Sequence, residues 1–384
     1  MRFTSLCAVS VVALCFACEE KPAPAPATEA KPAAVAKKEE AKKEEAVKPL
    51  EGQALASLYT SCWKSYSEAA WDKMGQCYAE DTTSTFLDSG LPALKGRDAV
   101  LANFKRERPA FPDIQGTPEL VLVNGQQIAT IGLIAGTNKG EMKSPDGKSS
   151  PATNKPMALR MFHGVTFNAK NQVSQETVVQ DLATMMGQLG QMGEGVKVRS
   201  ADAKAMEGSP TIVIAKNDET EKANIAAVTK QWADFAKEDI KAIEASFTDD
   251  AVESDQGDPE DRVGKKAVVD SAKRFLGAFS DVKSDCQYLA AGEYVASTCK
   301  VSATNDGDMA SWGLKKTGKT VSMTVVEVSK LKEGKISNVW RFYNGMSMAQ
   351  QLGLIPEQPA ATAKAEQPAA TDKPAVKPAA AKQE

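Results

Sequence analysis

Apolar side chains recur at Leu55, Leu58, Tyr59 and Cys62, the i, i+3, i+4, i+7 spacing of one helix face. A second helical segment, Trp71 to Cys77, runs into Tyr78-Ala79-Glu80-Asp81. The same order returns later. A helix with Ile225, Val228, Trp232 and Phe235 is followed by Ile240 to Phe247, which leads into Thr248-Asp249-Asp250. Downstream of each helical pair the period falls to two, predicting strands. These cover 119–123, 127–135 and 157–167 in the first half, and 283–289, 294–303 and 320–331 in the second, with a closing strand in each. Loops rich in Gly, Ser, Lys and Asn separate them at 137–155 and 304–319.

The two halves match in register. Gly96-Arg97-Asp98-Ala99-Val100 parallels Gly264-Lys265-Lys266-Ala267-Val268, and Phe111-Pro112-Asp113-Ile114 parallels Phe279-Ser280-Asp281-Val282 at the same separation. The stretch from Gly334 to Gly353 has a degraded twin from Asn171 to Gly190. Both close on Gln-Leu-Gly, at Gln188-Leu189-Gly190 and Gln351-Leu352-Gly353. Helices followed by strands, twice, predict an α+β class with two domains, at 50–192 and 220–355. Residues 193–219 read as a linker whose Thr211-Ile212-Val213-Ile214-Ala215 could add an edge strand to either unit.

Outside the repeats the composition changes. Arg2 precedes an apolar run from Leu6 to Ala17, too short to span a membrane and right for a signal peptide. Cys18 follows it. The pattern resembles a bacterial lipoprotein signal over residues 1–17, with Cys15 where Leu is usual; lipid on Cys18 would tie the chain to a membrane. An ordinary secretory signal is the other reading. Residues 18–49 and 356–384 are rich in Ala, Pro, Lys and Glu, a composition predicting a disordered tether and a disordered tail. These features predict a cell-envelope location: outer membrane or periplasm-facing inner membrane.

Four further cysteines pair by proximity. A hairpin turning at Gly292-Glu293 places Cys286 opposite Cys299, close enough for a disulfide. Cys62 and Cys77 lie on successive helical segments. Two such bonds fit an oxidising compartment; four buried thiols are the alternative.

The formal net charge of −3 and the absence of a basic stretch argue against nucleic-acid binding. One histidine, His163, excludes a zinc site built on several histidines. No phosphate-binding glycine loop is present. No metal or cofactor is expected.

The helix pair, the Tyr/Phe-x-x-Asp before a strand, the Gly-x-x-Ala-Val helix start and the closing Gly-Lys-Ile…Trp…Gln-Leu-Gly resemble SnoaL-like domains of the nuclear transport factor 2-like superfamily. The resemblance implies two cone-shaped domains, each a curved, mostly antiparallel sheet packed on its N-terminal helices around a pocket. Family members often pair through their sheets, which implies intramolecular pairing of the two domains.

Strand alternation then assigns faces. Ile336, Trp340, Phe342 and Asn344 are expected to share the concave face in the second copy, and Val173, Thr177, Val179 and Asp181 in the first. By resemblance, Asp181 matches the acid/base of SnoaL-like cyclases, while Asn344 departs from it; capping the following helix is the plainer role for Asp181. His163 alternates with Leu159, Met161, Val165 and Phe167 and faces inward. The hairpin register pairs 163 with about 177, about 13 Å along the strand from Asp181, so the two are not expected to touch. Thr177, Trp312, Trp340 and Asn344 complete the candidate ligand-binding set. The expectation is binding of a small apolar ligand or an envelope protein without catalysis; the alternative is a cyclase or isomerase using Asp181.

Overall fold

The helix-face residues Leu55, Tyr59 and Cys62 are buried, as are Trp63 and Tyr66 on the same side of the first helix. In the computed structural model the described residues are 48–143, 149–192, 196–203, 207–309 and 313–355. The signal segment, Cys18, most of the tether, Trp312 and the tail lie outside them.

Domain 1 opens with α1 (Gly52–Ser67) and α2 (Trp71–Cys77), then β1 (Tyr78–Phe86), the short β2 (Leu94–Lys95) and α3 (Arg97–Glu107). Next come β3 (Gln115–Asn124), β4 (Gln127–Thr137), a small side hairpin of β5 (Met142–Lys143) and β6 (Ser149–Ser150), β7 (Pro156–Phe167), β8 (Val173–Val179) and α4 (Leu182–Gln188). The connection contributes β9 (Thr211–Ile214). Domain 2 repeats the plan with α5 (Glu219–Ala236), α6 (Ile240–Ala245), β10 (Phe247–Asp255), β11 (Arg262–Val263) and α7 (Lys265–Ala278). It finishes with β12 (Phe279–Ala291), β13 (Tyr294–Asn305), β14 (Thr320–Lys332), β15 (Lys335–Phe342) and α8 (Gly345–Leu352).

The sheets run β2-β1-β8-β7-β4-β3-β9 and β11-β10-β15-β14-β13-β12. Neighbours are antiparallel except β1/β8, β10/β15 and β3/β9. Thus β9 joins the first sheet, parallel to β3. Each sheet covers its own helices on one face, giving one core per domain. The opposite faces pack on each other. Leu122, Ile131, Phe162 and Val179 of domain 1 meet Ala296, Val326, Val328 and Phe342 of domain 2 in one apolar layer, with the Phe162 and Phe342 rings 6.4 Å apart.

Both disulfides form. Cys62 joins Cys77 across α1 and α2, and Cys286 joins Cys299 at directly paired positions of β12 and β13.

The repeated Gln-Leu-Gly acquires a physical account. The Gln188 amide donates to Ala158 O and accepts from Ala158 N, both at 3.0 Å, and the Gln351 amide does the same at Ser322, at 2.9 and 2.7 Å. Each side chain therefore completes a strand edge as backbone would. Leu189 and Leu352 enter the cores. Gly190 and Gly353 take φ of +70° and +77°, the left-handed ending that favours glycine.

One irregularity changes the faces of both closing strands. Pairing passes from Thr166↔Gln175 to Phe167↔Val173, leaving Ser174 as an extra residue, and from Lys330↔Asn338 to Leu331↔Ile336, leaving Ser337. The bulged hydroxyls donate to Thr166 O at 3.1 Å and Lys330 O at 3.2 Å. A one-residue bulge reverses the alternation beyond it. The expected faces therefore hold at Val173 and Ile336 and fail afterwards. Glu176, Val178 and Gln180 point into domain 1, and Arg341 and Tyr343 into domain 2. Val179, Trp340 and Phe342 instead join the layer between the sheets.

Candidate functional site

Domain 1 holds a cavity of about 250 Å³ between its helices and the concave sheet face. Its wall is mostly apolar, with Trp63, Phe104, Phe111, Met157, Met161 and Met185 contributing. Trp63 lies flat on the sheet because two strand positions lack a side chain. A Cβ on Gly116 or Gly132 would stand 2.8 Å or 2.5 Å from the indole.

The polar centre of the wall is built from four elements. His163 projects from β7, Glu176 from β8, Tyr59 from α1 and Tyr78 from the start of β1. His163 Nε2 and Tyr78 Oη both lie 2.7 Å from Glu176 Oε1. His163 Nδ1 lies 2.6 Å from Tyr59 Oη. An ionised Glu176 accepts from Nε2–H; in the neutral imidazole Nδ1 then accepts the Tyr59 O–H. Trp63 packs edge-on against the imidazole at 5.5 Å.

Glu176 is 2 % exposed. Burial pushes its pKa up, but hydrogen bonding and charge from His163, with Ser84 and Tyr78 adding to them, hold it below the ordinary carboxylate range. Burial, with the Glu176 charge behind it, raises Tyr78 well above the ordinary tyrosine value. Tyr59 is raised too, chiefly by burial. Both phenols therefore stay protonated and act as donors. Glu176 Oε2, an acceptor, and Trp63 Nε1, a donor, are shut off from solvent and lack a partner at full hydrogen-bond geometry; the Ser84 hydroxyl, on the residue paired with Glu176 across β1 and β8, and the Tyr59 hydroxyl are the polar groups acting on them. Buried polar groups are normally paired, so these two atoms mark where a small shift of the wall would offer an acceptor and a donor to a bound molecule.

At the rim, half-buried Glu107 faces the Tyr66 hydroxyl at 3.4 Å. Burial raises its pKa to about 7 against the opposing effects of Arg106, Tyr66 and Arg108.

His163 is the sequence candidate that the structure places in this wall. Thr177 is turned away by the bulge and does not line the cavity. Asp181 does not line it either. It caps α4, accepting from Ala183 N, Thr184 N and Thr184 Oγ1, and Oδ1 also accepts from Gly345 N of domain 2 at 3.1 Å. Burial raises its pKa against those hydrogen bonds. A raised pKa here reflects burial in a domain contact. Asn344 likewise caps α8 and donates to Asp88 O at 2.9 Å. Trp340 packs between the sheets, which corrects its expected place in a pocket.

Glu176 was missed because simple alternation from Val173 turns it outward. One signal was available: a serine recurs at the same place in both copies, Ser174 and Ser337.

Domain 2 has lost the arrangement. By strand pairing, Val339 stands where domain 1 has Glu176, Glu327 where it has His163, and Arg341 where it has Val178. Among the described residues no group of three or more His, Cys, Asp or Glu is placed to hold a metal ion, and no helix is long and apolar enough to cross a membrane.

The family model of the SnoaL-like polyketide cyclase matches residues 53–189 and 226–352, more than half of the chain. The chain belongs to this family. Among solved structures, the SnoaL-like chain is similar to AclR, a putative hydroxylase from Streptomyces galilaeus, at 24 % identity over 36 % of this chain and 86 % of that one, TM-score 0.33. It is similar to a putative SnoaL-like polyketide cyclase from Jannaschia sp. CCS1 at 13 % identity over 36 % and 97 %, TM-score 0.34. An epoxide hydrolase of the LEH-like type from M. tuberculosis matches at 17 % identity over 35 % and 92 %, TM-score 0.30. No match was found among curated proteins.

Proposed function

We propose that domain 1 binds a small, largely apolar molecule with one carbonyl group and moves a proton on it, as an isomerase or cyclase does. One observation carries this reading. Glu176, at the cavity wall, has one oxygen held by His163 and Tyr78 and the other without a partner at full hydrogen-bond geometry. Oε2 is the base; His163 and Tyr78 hold the carboxylate ionised and oriented, and Tyr59 fixes the His163 tautomer. Trp63 Nε1–H is the donor for the carbonyl oxygen, where negative charge develops. The Asp181 route is replaced, since that carboxylate is a cap outside the cavity.

The depressed pKa of Glu176 makes it a weaker base and favours a second reading, binding without turnover. Solvent exchange separates the two. An enolisable bicyclic ketone such as 2-tetralone, held in deuterium oxide, is expected to exchange its α-protons faster with the protein than in buffer. Glu176→Gln is expected to lower that acceleration by roughly 10²–10⁴-fold while still binding the ketone. Binding without acceleration would sink the catalytic reading and leave the binding one.

The envelope location belongs to the same proposal. Support comes from the apolar run ahead of Cys18 and from two disulfides. Incorporation of labelled palmitate into the full chain, lost in Cys18→Ser, tests it; a chain that takes up no label is not a lipoprotein.

A further inference from the structure

The cavity of domain 1 has a second polar place, at the end of α3. Glu107 lines the cavity, and its Oε2 accepts the Tyr66 hydroxyl at 3.4 Å. Its Oε1 accepts no hydrogen bond among the described residues and is not shut off from solvent, so it is open to a polar atom of a ligand. Tyr59 and Tyr66 lie seven residues apart on α1, and both are buried. Two helical turns put them on one face, about 10 Å apart along the axis. Tyr59 meets His163, whose other nitrogen meets Glu176, while Tyr66 meets Glu107. One helix thus sends a tyrosine toward each of two carboxyl groups in one cavity. Phe104, three residues before Glu107 on α3, stands between these two places. Its ring centroid is 5.5 Å from that of Tyr66 and 6.3 Å from that of Tyr78, the donor to Glu176.

The two carboxyl groups differ in setting. His163 helps to hold Glu176 ionised. At Glu107 burial works against the charge and raises the pKa to about 7, with Arg106, the Tyr66 hydroxyl and Arg108 pulling the other way. Lys143 of β5 is the further cation lining the cavity. Near neutral pH Glu107 therefore passes between an acid that donates and a carboxylate that only accepts. A hydroxyl group complements both forms, because it donates to the one and accepts from the other. A cation would meet Arg106 and Lys143, and an anion would meet the carboxylate.

We propose that Glu107 is the specificity-determining residue of this site, taking up a hydroxyl group at the end of the ligand remote from its carbonyl. The ligand is then a hydroxy ketone. Its carbonyl lies by Trp63 and Glu176, its hydrocarbon part against Phe104, and its hydroxyl on Glu107. Glu107 touches no reacting atom; it selects the ligand and sets its direction in the cavity. The proposal rests on the reading of domain 1 as a site for an apolar carbonyl compound.

The test is calorimetric titration of the full chain with 2-tetralone, 6-hydroxy-2-tetralone and 6-methoxy-2-tetralone, at pH 5.5 and at pH 8.5. The substituted ketones carry their two oxygens at opposite ends of one ring system. The hydroxy ketone should bind roughly tenfold tighter than the parent at both pH values, the value of one hydrogen bond to a carboxyl group. The methoxy ketone accepts but cannot donate, so it should share the gain at pH 5.5 and lose it at pH 8.5. Glu107→Leu should hold all three alike at both pH values. Equal affinity for the hydroxy and parent ketones, or a methoxy preference that ignores pH, would overturn this proposal alone. Failure of every ketone to bind would overturn the reading of domain 1 with it. The readout is binding, so it holds whether or not the site exchanges protons, and the comparison on the unsubstituted chain decides it even if the variant fails to fold.

Discussion

Asp181 Oδ1 accepts the backbone N–H of Gly345 at 3.1 Å, so a cap in one domain also holds the first residue of the last helix in the other. The contact is reciprocated, because Asn344 donates to Asp88 O. Asp181→Ala should therefore cost at least about 2 kcal/mol, a lost cap plus stranded N–H and hydroxyl groups. Urea unfolding of the full chain reads this. Ketone exchange in domain 1 should survive the change. Glu176→Gln should instead abolish the exchange, with a stability cost of its own because the buried hydrogen bonds from His163 and Tyr78 lose their charged acceptor.

Glu107 gives stability a pH dependence of known sign. Its folded pKa is raised to about 7 from an ordinary value of 4.5. Between those values the unfolded chain releases the proton while the folded chain keeps it. Stability therefore falls as pH rises through that window and levels off above it. Urea midpoints at pH 5 and pH 7.5 should differ less in Glu107→Gln than in the natural chain. An equal difference would mean that other groups set the slope.

Phe342, 1 % exposed, sits opposite Phe162 in the layer between the sheets. Phe342→Ala should destabilise the chain by about 3–5 kcal/mol. A double-mutant cycle with Phe162→Ala should return a coupling of about 0.5–1.5 kcal/mol, the range for paired aromatic rings. Zero coupling would mean the rings contribute only as separate apolar bulk.

The Cys62–Cys77 bond closes a loop with a sequence separation of 15 and lies in the cavity wall. Replacing both with alanine should cost about 3 kcal/mol from the freed unfolded chain. Ketone affinity should weaken as well, because both cysteines line the site. A thermal scan with and without reductant shows the first effect, and calorimetric titration the second.

Much of the fold was legible because it rests on periodicity. The buried face of α1 follows from Leu55, Tyr59 and Cys62, and the Cys286–Cys299 pair follows from the hairpin at Gly292. His163 was placed on the correct face because β7 pairs with β4 without a bulge. Glu176 was not, because Ser174 adds one residue to β8 and inverts all that follows. Asp181 was drawn toward the pocket by overlooking the same extra residue. The hydrogen bonds from Gly345 to Asp181 and from Asn344 to Asp88 depend on how the two domains meet, which no spacing within either one encodes.

The strand Thr211–Ile214 lies along β3, and Ala215 N continues the ladder by donating to Val123 O at 2.8 Å. The segment between the repeats is therefore part of the first one. A cut near residue 192 would strip that sheet of its outer strand and leave a row of unpaired N–H and C=O groups, the kind of edge along which chains aggregate. A cut after residue 215 would keep the row covered. Anyone separating the halves, whether by protease or by gene design, should place the boundary there, past the point where the sequence repeat itself ends.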